Sequence, residues 1–291
     1  MKIILSRKGF DSATGKVASP ILPNGELCSL PIPIKEEHKS SIRYADIVAG
    51  DVSLGTLVSD LTRCRISPEH TAHLDPDLRH ASYHRAPGWK PIFGQDAAAE
   101  SHLQRQGVTE GDIFLFFGWF RQTELVNGRY RYVANAPDCH YIFGWLQIER
   151  RIPVTDHAEL PSWVLYHPHC SREQHSKLDS LYVSTDRLQF PGLDDTLPGG
   201  GVFTRAGDAL RLTCPGSLRS TWQLPGWFYS ADKAPTLSYH TNPRRWSTHG
   251  DRTLLSTVGR GQEFVLDCED YPEAVDWVAG ILRLASKTSE P

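Results

Sequence analysis

GVTEGDIFLFFGWFRQTELVNGRYRYVANAPDCHYIFGWLQIERRIPV, residues 107–154, is the stretch from which the fold can be read. Two apolar, aromatic-rich runs, FLFFGWF (114–120) and YIFGWLQI (141–148), share a Phe-Gly-Trp core. Such runs, bounded by turn residues, read as β-strands. Asn127-Gly128 stands between ELV and RYRYV, and this dipeptide is a strong hairpin signal. The alternation Arg129-Tyr130-Arg131-Tyr132 predicts an exposed strand with one basic face. Glycine inside an apolar strand lets another group approach the backbone closely, and Trp119 and Trp145 offer stacking surfaces. Together they suit a concave site for a flat ligand such as a base.

Upstream, 1–6 (MKIILS) reads as a buried strand followed by a polar, glycine-containing loop, RKGFDSATGK. Prolines confine 19–34 to edge strands or extended loops. Residues 62–93 are rich in Pro and His without periodicity, and a loop that long is expected to be functional. The Ala-rich segment 94–106 predicts a helix stopped by Gly107. Downstream, 163–169, 180–184, 209–213, 221–224 and 263–267 are short strand candidates, and Gly199-Gly200-Gly201 marks a sharp bend. A closing helix is expected over 272–285, with Val275, Val278, Ile281 and Leu282 on one apolar stripe. The sum is an α+β fold, β-dominated, with a mixed or barrel-like sheet and a few peripheral helices, in one compact unit over 1–291.

The 291 residues can bury a sizeable core. A net charge of −3 exerts no global pull on nucleic acid or membrane. No apolar run approaches the roughly 18–20 residues of a membrane span. The six cysteines are scattered and form no C-x-x-C pair. With no secretory pattern at MKIILSRKGF, reduced thiols and a cytoplasmic setting are expected.

Several polar constellations can carry chemistry. Arg7, Lys8 and Asp11 follow the first strand directly, where cations beside Gly9 can receive a phosphate and Asp11 can serve as base or hold a sugar hydroxyl. In AHLDPDL (72–78), His73 and Asp75 lie two apart, so an extended backbone places both on one side. A His beside a carboxylate is a general base or half of a metal site. Joined by a distant His (167, 169 or 240), the pair has the facial arrangement of non-haem iron sites. The competing reading has Asp75 and Asp77 capping a turn around Pro76. YHPHCSREQH (166–175) concentrates three His and a Cys, in a spacing that fits no zinc pattern. No metal ligand is assigned, and the cofactor is left open. His240, Arg244 and Trp246 in LSYHTNPRRW supply an imidazole, a cation and a ring, and Glu263 lies in GQEFVLD. The candidate catalytic residues are Asp11, His73, Asp75 and His240. The candidate substrate-binding residues are Arg7, Lys8, Trp119, Arg121, Trp145, Arg244, Trp246 and Glu263. Neither a nucleophile elbow nor a Rossmann fingerprint is present.

LSRKGFDS, SPILPNG, HLDPDL, GDIFLFFGWFR, IFGWLQI, LSYH and GQEFVLD, taken in order, make nearly the whole chain resemble the nucleotide modification associated domain 3 family. The resemblance implies a nucleotide or nucleic-acid partner, with other base-modification enzymes as further partners, and carries over no catalytic residue. A second similarity, of 94–154 to PUA-like modules such as the ASCH and EVE domains, implies a base-holding barrel. Three functions stay open: an enzyme of base or nucleotide hypermodification, a non-catalytic reader of a modified or flipped base using Trp119, Arg121 and Trp145, and an interaction protein of a modification or defence operon.

Overall fold

The two Phe-Gly-Trp runs are neighbours in space. The computed structural model describes residues 1–34, 41–155, 160–171, 176–194, 196–230, 232, 235–259 and 263–286. In chain order its strands are β1 (Lys2–Arg7), β2 (Ser19–Ile21), β3 (Val48–Ala49), β4 (Val52–Ser53), β5 (Ile92–Asp96), β6 (Ile113–Val126) and β7 (Arg129–Tyr132). They continue as β8 (Cys139–Pro153), β9 (Asp179–Ser184), β10 (Gly200–Val202), β11 (Thr221–Pro225), β12 (Trp246–His249), β13 (Arg252–Ser256) and β14 (Glu263–Asp267). The helices are α1 (Leu54–Leu61), α2 (Ala97–Arg105) and α3 (Glu273–Ser286).

β6 and β8 lie antiparallel, with Gly118 opposite Tyr141 and Gly144 opposite Phe116. Among the described residues nine strands form one mixed sheet whose main path runs β14-β1-β6-β8-β9-β5. β1 and then β2 pair in parallel with one edge of β6, and β7 folds back on its end through Asn127 and Gly128, both at positive φ. The path is open, so the barrel form of the expectation is corrected: this is a β-dominated α+β fold without a closed barrel. No described helix is long and apolar enough to cross a membrane.

Both faces of the first half of β6 are covered. Ile113, Phe114, Leu115, Phe116 and Phe117 are all fully buried, as a continuous apolar run requires. Burying each such side chain stabilises the fold by roughly 1.5–3 kcal/mol. α3 adds Val278, Ile281 and Leu282 to this core, as its stripe predicts. A second core, under 10–74, gathers around Tyr44, Leu57 and Val58.

Several local expectations are corrected. Gly94, Gln95 and Asp96 finish β5, so the helix starts only at Ala97; Gly94 is held extended against Leu181 of β9. The 163–169 segment is a short 3-10 turn and further turns, because Val164 and His167 accept local backbone bonds around Pro168. The 209–213 segment is likewise a 3-10 turn with isolated bridges. The glycines at 200 and 201 form a strand on β8 instead of a bend, with the Trp145 ring lying where a side chain of Gly201 would be.

The glycines of the repeated motif have separate packing duties. β1 leaves the edge of β6 after Arg7, and β2 rejoins that edge at Phe120. Gly118 faces the gap, where the Lys8 carbonyl would lie 2.8 Å from an added Cβ. At Gly144 a Cβ would meet Leu78 at 2.6 Å and the Gly201 carbonyl at 2.8 Å. A Gly118→Ala substitution should therefore cost about 1–3 kcal/mol through overpacking against backbone. Equilibrium urea unfolding measures this, and a midpoint equal to the wild type would contradict the close approach.

Candidate active-site cleft

The end of β1 and the loop that follows it form one wall of a cleft of about 430 Å³. That lies within the range of small-molecule sites, roughly 300–1,000 Å³. Its walls come from segments distant in sequence: Arg7, Lys8 and Asp11 after β1, His73 and Asp75 from the long loop, Gln95 on β5, and His169.

Each cation is held by its own scaffold. Arg7 donates to the carbonyls of Val258 (2.8 Å) and Gly259 (3.0 Å), and its guanidinium lies over Phe117 and Phe264. Burial and the nearby Arg219 lower its pKa, though a guanidinium stays charged. Lys8 lies over the Phe93 ring and pairs with Glu263 at 3.0 Å. Glu263 is buried beneath the cleft, where Gln95 also donates to Oε1 (2.5 Å) and Oε2 has no hydrogen-bond partner. Asp11 Oδ1 accepts from the backbone N–H groups of Ala13 (2.8 Å) and Thr14 (2.5 Å), fixing the loop it stands on.

The opposite wall is a histidine cluster around one carboxylate. Asp75 Oδ2 lies 4.0 Å from His73 Nδ1 and 3.8 Å from His169 Nε2. Its Oδ1 accepts from the Gly94 N–H (2.8 Å) and lies 3.4 Å from His167 Nε2. Burial disfavours the charge on Asp75, but His167, then His169 and His73, outweigh it and hold the carboxyl below its usual range. Behind the cluster, His169 Nδ1 is bonded to buried Asp179 at 2.6 Å. Gly94 is required here, since a Cβ would collide with the His169 ring.

Neither aspartate caps a turn around Pro76. Asp77 binds both terminal nitrogens of Arg85 (2.5 Å each) and accepts from the Tyr166 hydroxyl (2.5 Å). This buried network ties the 72–78 segment to the 160s and thereby brings His73 and Asp75 to His167 and His169. The composition of 166–175 flagged the latter pair, although His175 lies outside the described residues. Asp179 and Gln95 carried no sequence signal, because neither has a polar neighbour at a telling spacing.

Other candidates stand elsewhere. His240 is buried against Phe264, with Nδ1 at 3.1 Å from the Ser238 carbonyl and Nε2 accepting from the Val258 N–H at 3.2 Å. It therefore supports the loop that anchors Arg7 and does not line the cleft. Trp246 is also buried and donates to the His240 carbonyl (2.7 Å), while Arg244 is exposed on a neighbouring turn. Trp145 lies in the core and donates to the Pro198 carbonyl (3.1 Å). Trp119 donates to Asp138 (2.9 Å) and is covered by Arg219 at 4.0 Å, a cation the sequence reading missed. Arg121 lies over Tyr132 and reaches the Val133 carbonyl.

Two outcomes follow. Burial, aided by Arg245 and Arg7, lowers the His240 pKa to about 4. A neutral His in the fold binds fewer protons than in the unfolded chain, so its contribution is full above pH about 6.5 and is lost as pH falls toward 4. His240→Gln should flatten the pH dependence of unfolding free energy across that window by up to about 3 kcal/mol, measured by urea titrations; an unaltered slope would refute it. Lys8→Met strands the Glu263 carboxylate and should cost about 3–5 kcal/mol. Adding Glu263→Leu should return most of that loss in the same assay, and no recovery would show that the pair is not the cause.

The nucleotide modification associated domain 3 model matches residues 2–267, from β1 to the end of β14. No curated protein and no solved structure matches the chain. The matched span includes all the strands of the central sheet and every segment that lines the cleft, so the chain belongs to the nucleotide modification associated domain 3 family.

Proposed function

We propose that this protein is an enzyme of nucleic-acid base or nucleotide hypermodification and that the cleft is its active site. The observation that carries this reading is the meeting of Lys8 and Arg7 with the His73–Asp75–His169 cluster across one cavity. Cations on one wall suit the phosphate of a nucleotide. Imidazoles beside a carboxylate on the other suit proton transfer to or from a base. On this reading Asp11, which also lines the cleft, meets a sugar or base polar group. The family name supports the nucleotide context.

The reader alternative draws less support. Its Trp145 is buried and its Trp119 is already covered by Arg219, so these rings form no open cage for a base. Nothing among the described residues favours the interaction-protein reading over a cleft lined with titratable groups. On the proposed reading the whole chain works as one domain, in the cytoplasm, alongside other base-modification enzymes that supply or consume its product.

Nucleoside mass spectrometry of DNA and tRNA from cells with and without the gene tests the proposal. A nucleoside should appear or vanish with the wild-type gene, and His73→Ala or Asp11→Ala should abolish the change while the purified variants stay folded. An identical nucleoside profile in all four strains would defeat the enzyme assignment.

A further inference from the structure

We propose that His73, Asp75 and His169 bind a divalent transition-metal ion on the wall of the cleft, with Asp179 orienting His169 from behind. The inference deepens the active-site reading but is measured without substrate, so either can fail alone.

Three observations carry it. First, two imidazole nitrogens converge on one carboxylate oxygen, Asp75 Oδ2, at 3.8 and 4.0 Å, and the His73 and His169 rings stand 5.3 Å apart edge to face. Ligands bonded at about 2.0–2.1 Å to a tetrahedral ion stand about 3.4 Å from each other. Both nitrogens stand about 0.4–0.6 Å farther from Asp75 Oδ2 than that, so binding requires His73 and His169 to move in by at least this much. Among the described residues no group of three or more His, Cys, Asp or Glu side chains is arranged to hold a metal ion as it stands.

Second, the 2.6 Å bond from His169 Nδ1 to buried Asp179 fixes the proton on Nδ1. It turns the Nε2 lone pair toward Asp75. A carboxylate behind the far nitrogen is the arrangement that orients metal-ligating histidines. Third, Asp75 is anchored through Oδ1 by the Gly94 N–H, which leaves Oδ2 directed at the two imidazoles. Beside them, fully buried His167 accepts the His169 N–H at Nδ1 (3.3 Å), so its Nε2 carries the proton and faces Asp75 Oδ1 at 3.4 Å, outside the proposed ligand set.

The side chains of His167 and Asp179 are completely buried, while His73 lines the open cleft with 16 % of its side chain exposed. An ion at this position would keep a face open to the cavity, as catalytic sites do. Imidazole and carboxylate donors suit zinc, iron, cobalt or manganese better than calcium or magnesium. When bound, such an ion polarises a substrate oxygen or acidifies a water.

The test uses the full chain, free of any affinity tag and stripped with chelator. Zn²⁺ and Co²⁺ are titrated by calorimetry, and Co²⁺ also by visible absorption. Saturable binding of one equivalent is expected, with Co²⁺ bands of a nitrogen–oxygen site. His169→Ala and Asp75→Asn should weaken it at least about 100-fold, Asp179→Asn about 10- to 100-fold, and His102→Ala, outside the cleft, not at all. Circular dichroism checks that each variant is folded. Absence of one-equivalent binding to the folded wild type overturns the proposal, as does wild-type affinity in both His169→Ala and Asp75→Asn. Ion binding by a protein that alters no nucleoside upholds the site and counts only against the enzyme reading.

Discussion

Burial of the first half of β6, Ile113–Gly118, on both faces and along both edges is the constraint on which the other features depend. An interior strand must satisfy its backbone groups through neighbours, since unpaired N–H and C=O groups away from water are costly. β8 takes one edge of β6, while β1 and β2 share the other. The sharing is incomplete, because the chain leaves after Arg7 and returns at Ser19. The loop expelled at that break carries Lys8 and Asp11, and its root is seated on Gly118. That loop and the end of β1 are one wall of the cleft, so the course of the sheet edge and the cleft are linked through Arg7, Lys8 and Asp11.

The cleft is then finished by buried ionic contacts that act at long range. Lys8 and Glu263 join the loop after β1 to the start of β14, while Asp77, Arg85 and Tyr166 join the long loop to the segment carrying His167 and His169. Buried pairs of this kind contribute little net stability relative to apolar packing, yet breaking one leaves an uncompensated charge. Their effect here is positional. They hold polar side chains from four separate segments at fixed places around one cavity, which is what pre-organised chemistry requires.

The histidine cluster illustrates why a site is harder to read than a strand. His73 and Asp75 were legible as a pair because an extended backbone puts alternate residues on one side. His167 and His169 stood out by composition, yet nothing local says that this segment meets the first, more than ninety residues away. Asp179 begins β9 and reads in sequence as an ordinary strand-end residue. His240 shows the converse. Its surroundings in sequence, with Arg244 and Trp246, promised a binding site, while the folded chain uses its imidazole to hold the backbone at Val258.

The sequence by itself determined the β6 and β8 runs, the Asn127-Gly128 hairpin, the apolar stripe of α3 and the family, because continuous apolar runs, turn chemistry, helical periodicity and ordered motifs are written in the chain itself. It also set apart two polar loops, RKGFDSATGK (7–16) and residues 62–93, as places to look for a site. Only the tertiary structure decided that the sheet stays open, that Gly118 and Gly144 admit neighbouring chain and not a ligand, and that Trp145 is core. It alone brought Lys8, Asp75 and His169 to one cavity. Those outcomes rest on strand order and on buried pairs between distant segments, and such long-range contacts have no periodic signature in the chain.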